Sequence, residues 1–103
     1  MIIYDMKTED LINPIGIDEK KPRFSWKLQS KISGTLQTAY RIIVRSDNDT
    51  VWDSGKVTSD RSICIEYDGR SLSAMTKYSW QVSVWDEQSN EYTSDTADFE
   101  TGL

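Results

Sequence analysis

At 103 residues the chain has room for one domain with one hydrophobic core, spanning 1–103, and not for two. Four Trp and five Tyr in a composition that is 37% hydrophobic supply enough large apolar area to exclude a disordered chain. The net charge of −5, with no basic stripe, repels phosphate backbones and argues against nucleic acid as a partner. No apolar run approaches the roughly 20 residues of a membrane helix, so no membrane partner is expected either.

In chain order, Ile2 to Met6 predicts an edge strand. Asn13-Pro14-Ile15-Gly16 and Lys21-Pro22 supply turn chemistry before the first strong strand, Arg23 to Gln29, in which Phe24, Trp26 and Leu28 alternate with polar residues. Such a period of two gives a strand one buried face and one wetter face. A turn at Ser33-Gly34 leads to a second alternating run with Tyr40, Ile42 and Val44 inward. Asp47-Asn48-Asp49 predicts the next turn, and Val51-Trp52-Asp53-Ser54 a short strand ended by Gly55. Ile63, Ile65 and Tyr67 alternate with Cys64 and Glu66 ahead of a turn at Asp68-Gly69. Tyr78 to Val84 is the clearest alternation. After a turn at Ser89-Asn90, residues 96–101 place Ala97 and Phe99 on one face.

About seven short strands separated by turn signals, with no helical stripe, predict an all-β fold. Leu72 lies six positions before Tyr78, which opens the sixth of these strands; that spacing resembles the tyrosine corner of Greek-key sandwiches, where the hydroxyl is tied to nearby backbone. Trp26 resembles the core tryptophan of the second strand of fibronectin type III domains. The fold class is therefore an immunoglobulin-like or fibronectin type III-like antiparallel β-sandwich. The single cysteine, Cys64, excludes an intrachain disulfide, and the start Met1-Ile2-Ile3-Tyr4-Asp5 has neither the basic nor the long apolar region of a secretory signal. Both point to the cytoplasm.

The chemistry of catalysis is sparse. With no histidine the usual neutral-pH base, the Ser-His and Cys-His nucleophiles and the commonest zinc ligand are missing. The five scattered glycines form no phosphate loop, so no cofactor and no metal are expected. Two carboxylates suffice for glycoside hydrolysis, and Asp53, Asp86, Glu87, Asp95, Asp98 and Glu100 are available. At strand ends and on polar faces they are expected to be solvated, and no catalytic residue is assigned. Exposed aromatics remain: alternation puts Trp85 on the face opposite Trp80 and Val82, Trp52 sits on a short strand and Tyr92 near the last loop. Trp52, Trp85 and Tyr92 are candidates for contact with a neighbouring domain or, alternatively, for stacking on a sugar ring.

Several segments in order carry a more specific resemblance. Leu11 to Asp18, Lys21-Pro22-Arg23-Phe24-Ser25-Trp26, Gln37 to Ile42, Val51-Trp52-Asp53-Ser54-Gly55, Tyr78-Ser79-Trp80-Gln81-Val82, Val84-Trp85-Asp86 and Phe99 to Leu103 together resemble the opening of bacterial α-L-rhamnosidases of glycoside hydrolase family 78. The resemblance implies a non-catalytic N-terminal module of an enzyme that removes terminal α-L-rhamnose from glycosides. Its acid and base would lie in a downstream helical barrel outside these residues, so this chain alone is not an enzyme. The implied partners are downstream domains of the same polypeptide, with Trp52-Asp53-Ser54-Gly55 and Trp85-Asp86 as possible docking segments and a monomer as the state of the isolated domain. The alternatives are a carbohydrate-binding accessory module and a free-standing fibronectin type III-like interaction domain.

Overall fold

The computed structural model describes residues 1–30 and 36–102, so the Ser33-Gly34 turn lies outside the described residues. Among the described residues nine strands follow in chain order: β1 (Ile2–Thr8), β2 (Arg23–Gln29), β3 (Ala39–Ser46), β4 (Asp49–Asp53), β5 (Val57–Thr58), β6 (Ile65–Glu66), β7 (Lys77–Trp85), β8 (Glu91–Thr93) and β9 (Ala97–Glu100). No helix occurs among the described residues. One sheet has the order β1-β2-β6; the other runs β4-β3-β7-β8, with β5 also on β3 and β9 also on β7. All strand pairs are antiparallel.

The chain visits the small sheet with β1 and β2, the large sheet with β3 to β5, the small sheet again with β6, and finishes in the large sheet. The expected β-sandwich is therefore present, with β5 and β8 as short strands that the alternation did not announce. Both are too brief, at two and three residues, to display a period. Because β5 intervenes, Tyr78 lies at the start of the seventh strand rather than the sixth.

The three strong alternations are present, with Leu28 at the end of β2 only half-buried. Phe24 and Trp26 of β2, Tyr40, Ile42 and Val44 of β3, and Tyr78, Trp80, Val82 and Val84 of β7 are buried, joined by Ala97 and Phe99 of β9. The rings interlock between the sheets, with Phe24 centred 4.7 Å from Trp80 and 5.8 Å from Phe99, and Tyr78 stacked on Phe99 at 5.3 Å.

The run around Ile65 departs from expectation. Ile65 and Tyr67 are buried, but Ile63 is exposed. Cys64 takes a positive φ of 55°, which breaks the pleat, so Ile63 leaves the face that Ile65 and Tyr67 share. β1 is the expected edge strand, and its register shifts between Tyr4 and Lys7, where Asp5 has a φ of 50°. Bulges of this kind interrupt an edge that would otherwise template further pairing.

Two turns are locked by side chains. The Tyr78 hydroxyl accepts a hydrogen bond from the Ser73 backbone N–H at 2.7 Å, with Leu72 packed against the core, so the tyrosine corner is formed. The Asp68-Gly69 turn folds over β4, where the Arg70 N–H donates to the Val51 carbonyl at 3.0 Å and the Tyr67 hydroxyl donates to the Arg70 carbonyl. A Cβ on Gly69 would lie 2.4 Å from Trp52 Cβ and 2.6 Å from the Val51 carbonyl oxygen, so only glycine permits this approach.

Tyr78→Phe should destabilise the domain by about 1 kcal/mol in urea denaturation, the typical net value of one hydrogen bond. Gly69→Ala should cost about 1–3 kcal/mol through overpacking against groups that cannot move aside. Unchanged denaturation midpoints would contradict these assignments.

Candidate functional site

The three candidate aromatics do not converge. Trp52 pairs across β3–β4 with buried Val44, and Tyr92 pairs across β7–β8 with buried Val84. Directly paired residues share a face, so both point to the interior side of the large sheet, at its two opposite edges. Trp52 lies parallel to Phe24 at 6.2 Å and edge-on to Tyr67 at 5.3 Å. Both Trp52 and Tyr92 are half-buried against the core. Trp85 alone faces outward, as its alternation predicts; it too is half-buried, with Lys56 Nζ 4.7 Å from its ring centroid. No single stacking platform unites the three.

Among the candidate carboxylates, Asp86 corrects the expectation of solvation. It is only 5% exposed and organises the β7–β8 connection. Its Oδ1 accepts the backbone N–H groups of Gln88 and Asn90, both at 2.9 Å, while its Oδ2 accepts Asn90 Nδ2 and the Tyr92 hydroxyl, both at 3.2 Å. Four donors compensate the loss of water. They hold the Asp86 carboxyl below its usual range, with the Asn90 N–H as the largest cause. Burial, followed by the bond to Asp86, raises the Tyr92 phenol. Tyr92 is thus a structural partner of the loop, its hydroxyl already committed.

Asp53 is exposed, and the Arg41 guanidinium grips it through Nε at 2.9 Å and through Nη2, with the Gly55 N–H adding a bond at 2.9 Å. Led by Arg41, these contacts lower its pKa to about 2. Glu87 accepts the Leu36 N–H at 2.6 Å. Asp98 faces Lys77 Nζ at 3.8 Å, and the Glu100 backbone pairs with the 14–17 segment. Asp95 is exposed. The displaced carboxyls Asp5, Glu9, Asp53 and Asp86 all move downward, chiefly through Lys27, Arg23, Arg41 and the Asn90 N–H respectively. A glycosidic general acid needs the opposite shift. Among the described residues no group of three His, Cys, Asp or Glu side chains could hold a metal ion.

Two arrangements escaped the sequence reading. Gln37 is buried and accepts Trp26 Nε1–H at 3.1 Å, while its own amide donates to the Ser59 and Arg61 carbonyls at 3.1 and 3.0 Å. A glutamine beside an alternating strand gives no sign of such a role. The second is a set of exposed aliphatics, Ile12, Ile15 and Met75. Ile15 at the tip of a Pro-Gly turn was the available signal, since turn tips are ordinarily polar.

Because the folded Asp86 pKa lies below the ordinary 3.8, its carboxylate contributes stability above that pH and loses the contribution as pH falls through the folded value. Asp86→Asn should therefore lower the denaturation midpoint at pH 7, and the gap to the unmodified chain should narrow on acidification below 3.8. A gap constant from pH 7 down to acid would contradict this role for the anion.

Comparison with known proteins places this geometry. An α-L-rhamnosidase from Formosa agariphila is 39% identical over 99 residues, covering 88% of this chain and 10% of that protein. The structure of α-L-rhamnosidase from Dictyoglumus thermophilum superposes with a TM-score of 0.94 at 40% identity, covering all of this chain and 12% of that one. The Streptomyces avermitilis α-L-rhamnosidase complexed with L-rhamnose gives 0.94 at 37% identity, covering 99% and 10%. The chain thus spans about a tenth of the length of these relatives. The family model described as the Rha78A-like, N-terminal immunoglobulin domain matches residues 3–103, and the chain belongs to that family.

Proposed function

We propose that this chain serves as the non-catalytic, structural N-terminal module of an α-L-rhamnosidase, a polypeptide that hydrolyses terminal α-L-rhamnose from glycosides. The observation that carries the reading is the family match across residues 3–103, combined with relatives of which the chain covers only about a tenth. The side chains fit a structural role. The displaced carboxyls are held as anions by neighbouring cations and N–H groups, and two of the three candidate aromatics are turned toward the core.

Sugar binding by the module is the weaker reading, because Trp52 and Tyr92 lie at opposite sheet edges and Lys56 stands over Trp85. Docking of the module onto its own polypeptide accounts better for a domain whose candidate aromatics form no shared platform.

The gene should continue past Leu103 into hydrolase domains, and a stop codon there would overturn the module reading. Titration of the 1–103 chain with L-rhamnose, followed by NMR, should give no saturable shifts. Localised, saturable shifts at the Trp85 indole would favour the sugar-binding reading instead.

A further inference from the structure

Residues 100–102 are clamped between two loops. On one side the Glu100 carbonyl accepts the Gly16 and Ile17 N–H groups at 2.9 and 3.1 Å, and the Gly102 N–H donates to the Ile17 carbonyl at 2.9 Å. On the other side the Met75 N–H donates to the Gly102 carbonyl at 3.0 Å, and the Thr76 N–H donates to Thr101 Oγ1 at 3.0 Å. The fit around Gly102 is tight: a Cβ there would lie 2.8 Å from Asp18 Oδ1 and 3.1 Å from the Gly16 carbonyl oxygen. The chain therefore leaves residue 102 in a fixed direction.

Both clamping loops carry large apolar side chains that the domain does not bury. Ile15 is 79% exposed and Met75 is 73% exposed, with Ile12 at 66% earlier in the first loop. A depression of about 190 Å³ opens beside Ile15, lined also by Pro14, Phe99, Lys77 and Asp98. Clustered exposed aliphatics mark a contact surface. Their position beside the exit identifies the occupant.

We propose that the exposed side chains of the two clamping loops, Ile15 and Met75, are covered by the domain that follows residue 102 in the full-length polypeptide. This rests on the module reading above. The relatives contain about ten times the length of this chain, and Gly102 is held between the backbones of Ile17 and Met75, the two loops from which Ile15 and Met75 project. A domain tethered there is held at about millimolar effective concentration, so a modest apolar patch suffices to seat it, which an untethered second copy could not match. The matching surface on that domain is aliphatic at its centre.

The test compares the full-length polypeptide with the 1–103 chain under dilute hydrogen peroxide, with Met75 sulfoxide measured by mass spectrometry and half-buried Met6 as internal reference. Met75 should oxidise roughly tenfold more slowly in the full-length polypeptide, since oxidation follows exposure, while Met6 is unchanged. Ile15→Lys should restore fast Met75 oxidation in the full-length polypeptide and leave the thermal midpoint of the 1–103 chain unaltered. Equal Met75 rates in the two chains would overturn the proposal. So would slow, concentration-dependent oxidation in the 1–103 chain alone, which would mean that a second copy covers the face. Unprotected Met75 in a polypeptide that does hydrolyse rhamnosides sinks the docking face and spares the module reading; a gene without hydrolase domains sinks the module reading itself.

Discussion

Phe24 is the contact on which the two sheets depend. Its ring is fully buried and meets Trp80 at 4.7 Å, Phe99 at 5.8 Å and Trp52 at 6.2 Å, so one side chain of the small sheet touches three strands of the large one. Trp26, packed edge-on to Tyr40 at 5.6 Å, is the second such anchor of the small sheet, and Ile65 of the two-residue β6 is the direct partner of Phe24. Each aromatic pair adds about 0.5–1.5 kcal/mol beyond its buried area, and here several share one ring. The rest of the core extends outward from that point.

Around this apolar centre, buried polar groups fasten the connections. Gln37 joins the Trp26 indole to the backbone at Ser59 and Arg61, tying the small sheet to the link between β5 and β6. Asp86 closes the β7–β8 hairpin, and Tyr78 closes the loop before β7. Such groups are costly when left unpaired and specify one arrangement when satisfied. The buried polar groups are thus committed to the domain's own loops.

The same economy shapes its place in a longer chain. The outward aromatic ring is shielded by a lysine and the inward ones by the core, whereas Ile15 and Met75, the most exposed of the open aliphatics, sit on the two loops that hold Gly102. A spacer that fixes the position of its neighbour requires that combination: a stiff body, a clamped exit and apolar surface next to it. A free tether would instead have a polar, unbraced end.

The class of the fold and most of its core are legible in the pattern of residues along the chain. Hydrophobic alternation in β2, β3, β7 and β9 is a local property, fixed by the strand geometry that sends successive side chains to opposite faces. The Leu72–Tyr78 spacing and the Asp68-Gly69 turn were legible for the same reason. The tertiary structure decided what alternation cannot encode. Alternation says that a residue faces one side of its strand; it does not say whether a loop then covers it. Asp86 proved buried because the 88–92 segment folds back to supply its donors, and Ile63 proved exposed because a positive φ at Cys64 reverses the pleat. Alternation already set Trp85 outward, but only sheet order and pairing register placed Trp52 and Tyr92 inward at opposite edges. The exit face became visible only once the backbone hydrogen bonds brought residues 14–17 and 75–76, far apart in sequence, to either side of Gly102.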